Sequence, residues 1–249
     1  MNEKLPKRLK SDAILEAVME IRFEPDPSLV SEIIFGRFAD VDEWRDFRQA
    51  RLPTADIPAP IRRADPNFRY QPSIEMASAD GGVAVRIGPQ VVMYAQRGSY
   101  PGWDKFGAEL DKVITRLYRI IPKVQVSRIG LRYINALRSD AHEVKGIDDL
   151  AIGVSVADQK LSNSLNLNFK TNVGTDYETM CRIATVDLAA GNIPEGATVI
   201  VDIDVYTGEN YSTKDAESVK HWVIQAHDKE KENFFLVLGK EATARLRED

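Results

Sequence analysis

Residues 103–138 read WDKFGAELDKVITRLYRIIPKVQVSRIGLRYINALR: an amphipathic helical pattern, a proline, then a long strand pattern. Phe106, Leu110, Val113, Ile114, Leu117, Tyr118 and Ile121 recur at spacings of four, three and one, while Lys105, Asp111, Lys112, Arg116 and Arg119 take other positions. Such spacing gathers the apolar groups on one side of a 3.6-residue helix, which predicts a helix over 103–121 lying on a core. Pro122 has no amide hydrogen and disfavours helical angles at Ile121, so the helix stops and a strand over 123–138 follows. The strand changes phase midway: Val124 and Val126 are apolar on even numbers, but Ile129, Leu131, Tyr133 and Leu137 on odd ones. A one-residue slip would turn every later side chain to the wrong face, so a bulge or twist is expected between Ser127 and Gly130.

Upstream, residues 13–24 alternate cleanly, with Leu15, Ala17, Met19, Ile21 and Phe23 against Glu16, Glu20, Arg22 and Glu24, the pattern of a half-buried strand. Pro25 and Pro27 end it, Ser28 is placed to cap a helix, and Leu29, Val30, Ile33, Ile34 and Phe38 would share that helix's buried side. A second helical piece is expected over 41–49 from the spacing of Trp44 and Phe47, and an extended surface connection over 52–66, where Pro53, Pro58, Pro60 and Pro66 fall. Strands over 68–78, 83–87 and 90–97, joined by Asp80-Gly81-Gly82 and Gly88-Pro89, should be antiparallel neighbours because the turns are short.

After the central strand, a helical turn is expected near 147–150, then strands over 161–173, 177–189 and 198–207, a helix from 213 to about 229 and a short helix over 240–247. Residues 1–122 and 123–249 thus share one plan: strand, connection, three-stranded meander, long helix. Residues 19–23 and 129–133 also share apolar-x-apolar-Arg-aromatic, which poses the question of internal duplication within one compact unit. The expected class is α+β, with mostly antiparallel sheet, in one curved piece or two, and long helices packed on one face.

Of the 249 residues, 43% are hydrophobic and 29% charged, a globular composition. There is no run of about 18 apolar residues, and the basic start (Lys4, Lys7, Arg8, Lys10) leads into a segment holding Glu16 and Glu20, not an apolar signal region. A cytoplasmic protein with no membrane span is therefore expected. Cys181 is the single cysteine and reads as a small core residue. The net charge of −5 is concentrated in residues 126–249, where 20 acidic side chains face 14 basic ones, which disfavours nucleic acid as a partner. Saddle-shaped nucleic-acid binders are also built from paired sheet-plus-helix halves, and the acidic second half argues against that analogy.

Three patches carry a family resemblance: Glu16-Ala17-Val18-Met19-Glu20-Ile21-Arg22-Phe23, then Arg132-Tyr133-Ile134-Asn135, then a C-terminal helix with Trp222 and Ala226-His227 followed by Phe234-Phe235. Together they resemble a sporadically distributed bacterial family of about 250-residue proteins with no assigned function. The chain departs from it at Ser11-Asp12-Ala13, where Asn-Ala-Pro is usual, and at Leu238-Gly239-Lys240, which replaces a capped helix start. The resemblance implies a bacterial, cytoplasmic setting and supplies no mechanism.

Catalytic signatures are sparse. Neither G-x-G-x-x-G after a strand nor G-x-x-x-x-G-K occurs, and no G-x-S-x-G elbow is present. His221 and His227 lie six apart on one helix and point away from each other, so they are not a metal pair, and with His142 they read as solvated or locally bonded. Asp202 and Asp204 fall on one strand face roughly 7 Å apart, where they can share a divalent cation with Asp187. Alternation alone also puts acids on a wet face, so no metal and no cofactor are expected.

Arg22, Arg128 and Arg132 sit on the polar faces of the two equivalent strands, and adjacent strands would crowd their guanidinium groups. The crowding would be met either by acids such as Glu20 and Glu24 or by an anionic ligand or acidic partner. Tyr133 and Asn135 take the opposite, buried face, where the amide must find hydrogen bonds. With no assembled catalytic motif, the expected function is a non-enzymatic binding or regulatory module, homodimeric and open to a protein partner. The alternative is a small-ligand-binding protein or metal-dependent enzyme using a cavity between sheet and helix.

Overall fold

The computed structural model describes residues 5–25, 30–121 and 123–248. In chain order its strands are β1 (Ile14–Glu24), β2 (Arg48–Arg51), β3 (Ile74–Ala77), β4 (Val83–Gly88), β5 (Val91–Arg97), β6 (Gln125–Arg138), the small hairpin β7 (Ser155–Val156) and β8 (Gln159–Lys160), β9 (Asn166–Thr171), β10 (Glu178–Thr185) and β11 (Ala197–Tyr206). Helices are α1 (Ser31–Ala39), α2 (Ala59–Ala64), α3 (Pro66–Arg69), α4 (Trp103–Ile120), α5 (Ser139–His142), α6 (Ala216–Leu238) and α7 (Lys240–Leu246).

Nine strands form one antiparallel sheet in the order β2-β3-β4-β5-β1-β6-β11-β10-β9, so the class is α+β. Counted outward from the central β1–β6 pair, each first strand meets the last strand of the meander that follows it, and the flank then runs back through that meander. The phase change in β6 is a bulge: Arg22 faces Arg128 but Phe23 faces Val126, so Ser127 is the extra residue. It lets Val126 and Ile129 both point into the core.

One face of the sheet is apolar, with Met19, Ile21, Phe23, Leu131, Leu137, Val201 and Ile203 fully buried. Onto this face pack α4, through Phe106, Leu110, Val113, Ile114 and Leu117, and α6, through Val219, Trp222, Val223 and Ala226. The two long helices also touch each other. Burying that many large side chains is the main force on the fold, at about 1.5–3 kcal/mol for each.

Several local expectations are corrected. The piece over 41–49 is a single 3₁₀ turn, Asp42–Trp44, followed by β2, because Trp44 stacks on Phe38 at 6.4 Å and the chain then pairs with β3. The connection over 52–66 is not extended: a 3₁₀ turn (Pro53–Asp56) and α2 and α3 occupy it, with prolines in the first turn of each, where no amide hydrogen is needed. Consequently β3 is shorter than the strand expected from 68. In α1, Ile34 and Phe38 are buried, but Val30 and Ile33 are exposed. Pro27, Ser28, Leu29 and the stop at Pro122 lie outside the described residues. The alternation over 161–173 yields only the short edge strand β9, leaving Phe169 40% and Val173 66% exposed. Finally, α6 continues nine residues past 229, to Leu238.

Candidate functional site

The arginines named from sequence converge on the open face of the sheet, opposite the helices. Register places Arg22 directly across from Arg128. Glu20 meets both, 2.7 Å from Arg22 Nε and 2.7 Å from Arg128 Nη1, while Asp204 lies 3.9 Å from Arg128. Arg132 grips Asp202 with two parallel hydrogen bonds of 2.7 Å, and Arg182 adds a third contact at 3.2 Å. Arg22 also lies over the Tyr70 ring and Arg128 over that of Tyr206, at 4.8 and 4.9 Å. These guanidinium groups are therefore met by acids and aromatic faces of the same chain. Glu24, the other acid named for that role, accepts instead from Gln90.

The same contacts occupy the carboxylates considered for a metal. Asp202 is held by two arginines, and its neighbour on β10 is Arg182, not Asp187. Asp187 lies beyond the end of β10 and accepts from Ser164 Oγ at 2.5 Å. Burial pushes the Asp204 carboxyl up, against the pull of Arg128 and Arg132. Among the described residues no three metal-ligating side chains come together.

A different place gathers polar groups inside the molecule. Between the sheet's apolar face and the helices lies a cavity of about 330 Å³, bounded by β6, the start of α4, the second half of α6 and residues 7–14. The termini close one side as a short antiparallel tie: Lys10 N donates to Leu246 O at 2.9 Å and Glu248 N to Arg8 O at 3.1 Å. Arg8 donates to Pro101 O, and a side chain at Gly102, whose φ is +88°, would run into its guanidinium.

Inside, Tyr133 lies at the centre of a chain of hydrogen-bonding groups. Its hydroxyl is 3.1 Å from that of Tyr100 and 3.4 Å from Nδ1 of His227. The His227 ring stacks on Trp103, with centroids 3.8 Å apart and planes 7° from parallel. Burial holds this imidazole neutral by lowering its pKa to about 4, and nearby Lys231 adds to the effect. Both tyrosines are pushed up by burial. Asn135 satisfies its buried amide by donating to Val201 O at 3.2 Å.

Glu230 is the outlier. It is 6% exposed and lines the cavity from α6, where the nearby charge acting on it is that of Lys231. Burial in these surroundings raises its pKa from 4.5 to about 8, so the carboxyl is largely protonated at neutral pH. Asp12, exposed at the edge of the cavity, is raised by desolvation of its carboxyl and accepts from Ile14 N at 3.0 Å.

Sequence reasoning placed Tyr133 and Asn135 on the buried face but missed Tyr100, Trp103, His227 and Glu230 as one group. His227 is half-buried against an indole and His142 is fully buried between Arg138 N and Ser11 O, so only His221 is solvated. A signal for Glu230 existed: Trp222, Ala226, Glu230 and Phe234 recur every fourth residue, placing an acid on an apolar helical stripe. Ending the helix at about 229 hid it. No protein-family model matches the chain, and no curated protein matches it significantly.

Proposed function

We propose that this protein binds a small molecule in the cavity between β6, α4 and α6. The observation that carries the proposal is Glu230, a carboxyl with 6% of its surface exposed that lines the cavity beside Tyr100, Trp103 and Tyr133. A carboxyl on an aromatic-lined cavity wall is a polar group that can orient a ligand. The cavity volume and the mixture of aromatic walls with a few convergent polar groups suit a metabolite-sized ligand. Ser99 lies at the exposed rim of the cavity. Such a binder fits the bacterial cytoplasmic setting implied by the family resemblance.

A thermal-shift survey of a chemically diverse metabolite set tests this, with Ser99→Trp as the control that narrows the cavity mouth. At least one compound should stabilise the natural protein and fail to stabilise the variant. No compound stabilising either, or equal shifts in both, would overturn the cavity as a binding site.

A second reading, association through a sheet edge, is favoured by β9. The opposite edge, β2, is short and carries Arg48 and Arg51, which discourage strand addition. On β9, by contrast, Phe169 is exposed beside an edge that pairs only with β10. We infer that two copies join there as a homodimer.

A further inference from the structure

Resting on the cavity reading, we propose that the ligand is a small zwitterion, an ammonium group joined to a carboxylate or phosphate, with its ammonium between Glu230 and the aromatic walls and its anionic end at the mouth. The interior and the mouth differ in chemistry, and that difference carries the assignment.

Inside, the one buried acidic group among the described lining residues is the carboxyl of Glu230, and beside it stand the rings of Tyr100, Trp103, Tyr133, Phe234 and Phe235. Ring faces carry negative quadrupole density, and a carboxyl beside several of them is a site for a desolvated cation. His227 stays neutral against Trp103, so the protein cation whose charge reaches Glu230 is Lys231. At the mouth the sign reverses. Lys7, Arg8 and Lys10 line it, outnumbering the two exposed acids there, Asp12 and Glu248. Lys7 and Lys10 are exposed there, and Lys10 Nζ reaches Arg245 O at 3.1 Å. A purely cationic ligand would meet that basic rim on the way in, and a purely anionic one would meet the Glu230 carboxyl at the end. A molecule with both charges matches both regions.

Proton movement gives a signature. The groups around Glu230 are Tyr133 from β6, Tyr100 ahead of α4, Asp12 with the basic residues 7–10, Cys181 from β10, and His227 and Lys231 on α6 itself. Burial moves both tyrosines up, Cys181 up to about 11 and His227 down to about 4, which leaves Glu230 as the group near neutrality. An arriving ammonium ionises it, so the carboxyl proton leaves to solvent as the ion pair forms. The O–H bond breaks, no covalent bond forms to the ligand, and charge balances within the pair.

Calorimetric titration at pH 7 in two buffers of different ionisation enthalpy tests the assignment with four probes. Phosphoethanolamine and 4-aminobutyrate carry both charges, ethanolamine only the positive one and glycerol phosphate only the negative one. One of the two-charge probes should bind roughly tenfold or more tighter than either single-charge probe, with release of about one proton. Preference between them decides phosphate or carboxylate. Glu230→Gln should abolish the proton release and weaken that probe by roughly tenfold, leaving glycerol phosphate unchanged. The exposed pair Lys7→Gln with Lys10→Gln, which does not touch the interior, should bring the two-charge probe down toward ethanolamine. Equal or tighter binding of a single-charge probe, or binding without proton release, would overturn the ligand class. Should all four probes fail while another compound is held in a Ser99-sensitive manner, the ligand class falls and the cavity reading stands.

Discussion

Glu230 and His227 lie within one turn of α6, yet burial shifts them in opposite senses. Glu230 rises to about 8, so between 4.5 and 8 the folded state holds a proton that the unfolded state has released. Its contribution to stability is complete below 4.5 and is lost as pH rises toward 8. His227 falls to about 4, so its contribution is complete above 6.5 and is lost as pH drops toward 4. The two slopes oppose each other between 4.5 and 6.5, and above 6.5 the Glu230 slope stands alone. The melting temperature of the unliganded protein should therefore fall between pH 6.5 and 8.5, and Glu230→Gln should flatten that fall. A natural protein whose melting temperature is level over this range would show that the carboxyl ionises freely. The residue was legible in principle, as an acid on an apolar stripe. Its place on a cavity wall was not, because the rings and strand that complete that wall come from distant parts of the chain.

The helix α4 is the element on which the core depends. Its apolar stripe is continuous from Phe106 to Ile120, and Leu117 is fully buried against the sheet. Leu117→Ala should destabilise by about 2–5 kcal/mol through lost burial and a residual cavity, read as a lower midpoint in chemical denaturation. An unchanged midpoint would make the helix peripheral. Elements with a sustained period were readable: α4, β1 and β6 fall within a residue or two of where spacing puts them. Elements decided by weak signals were not. The prolines of 52–66 serve at helix starts as well as in extended chain, and only the packing of that segment, with Arg62 donating to the Phe68 and Gln71 carbonyls, selects the helical turns.

At the scale of the molecule, the sheet has two unlike edges and an open face whose charges neutralise one another. The β2 edge carries two arginines in four residues and β9 a single lysine, Lys170, beside the exposed Phe169, which is why we propose association at β9. Light scattering over roughly a tenfold concentration range should give twice the 27.9 kDa chain mass, and Phe169→Lys should return it to one. A mass of one chain throughout would reject the dimer and confine binding to the cavity within each copy. No helix among the described residues is long and apolar enough to cross a membrane.

By itself the sequence determined the α+β class, the amphipathic helix, a phase change between Ser127 and Gly130 and the faces of Tyr133, Asn135 and the sheet arginines. These follow from periodicity, which is local and survives translation into three dimensions because each face must find either core or water. Only the tertiary structure decided that β1 and β6 are neighbours, that Arg128 and Arg132 are satisfied by Glu20 and Asp202, and that Trp103, Tyr133 and Glu230 meet around one cavity. Partners separated by 70 residues or more are chosen by strand order and helix packing. No local pattern encodes those distances, so the site exists only once the sheet has closed beneath its helices.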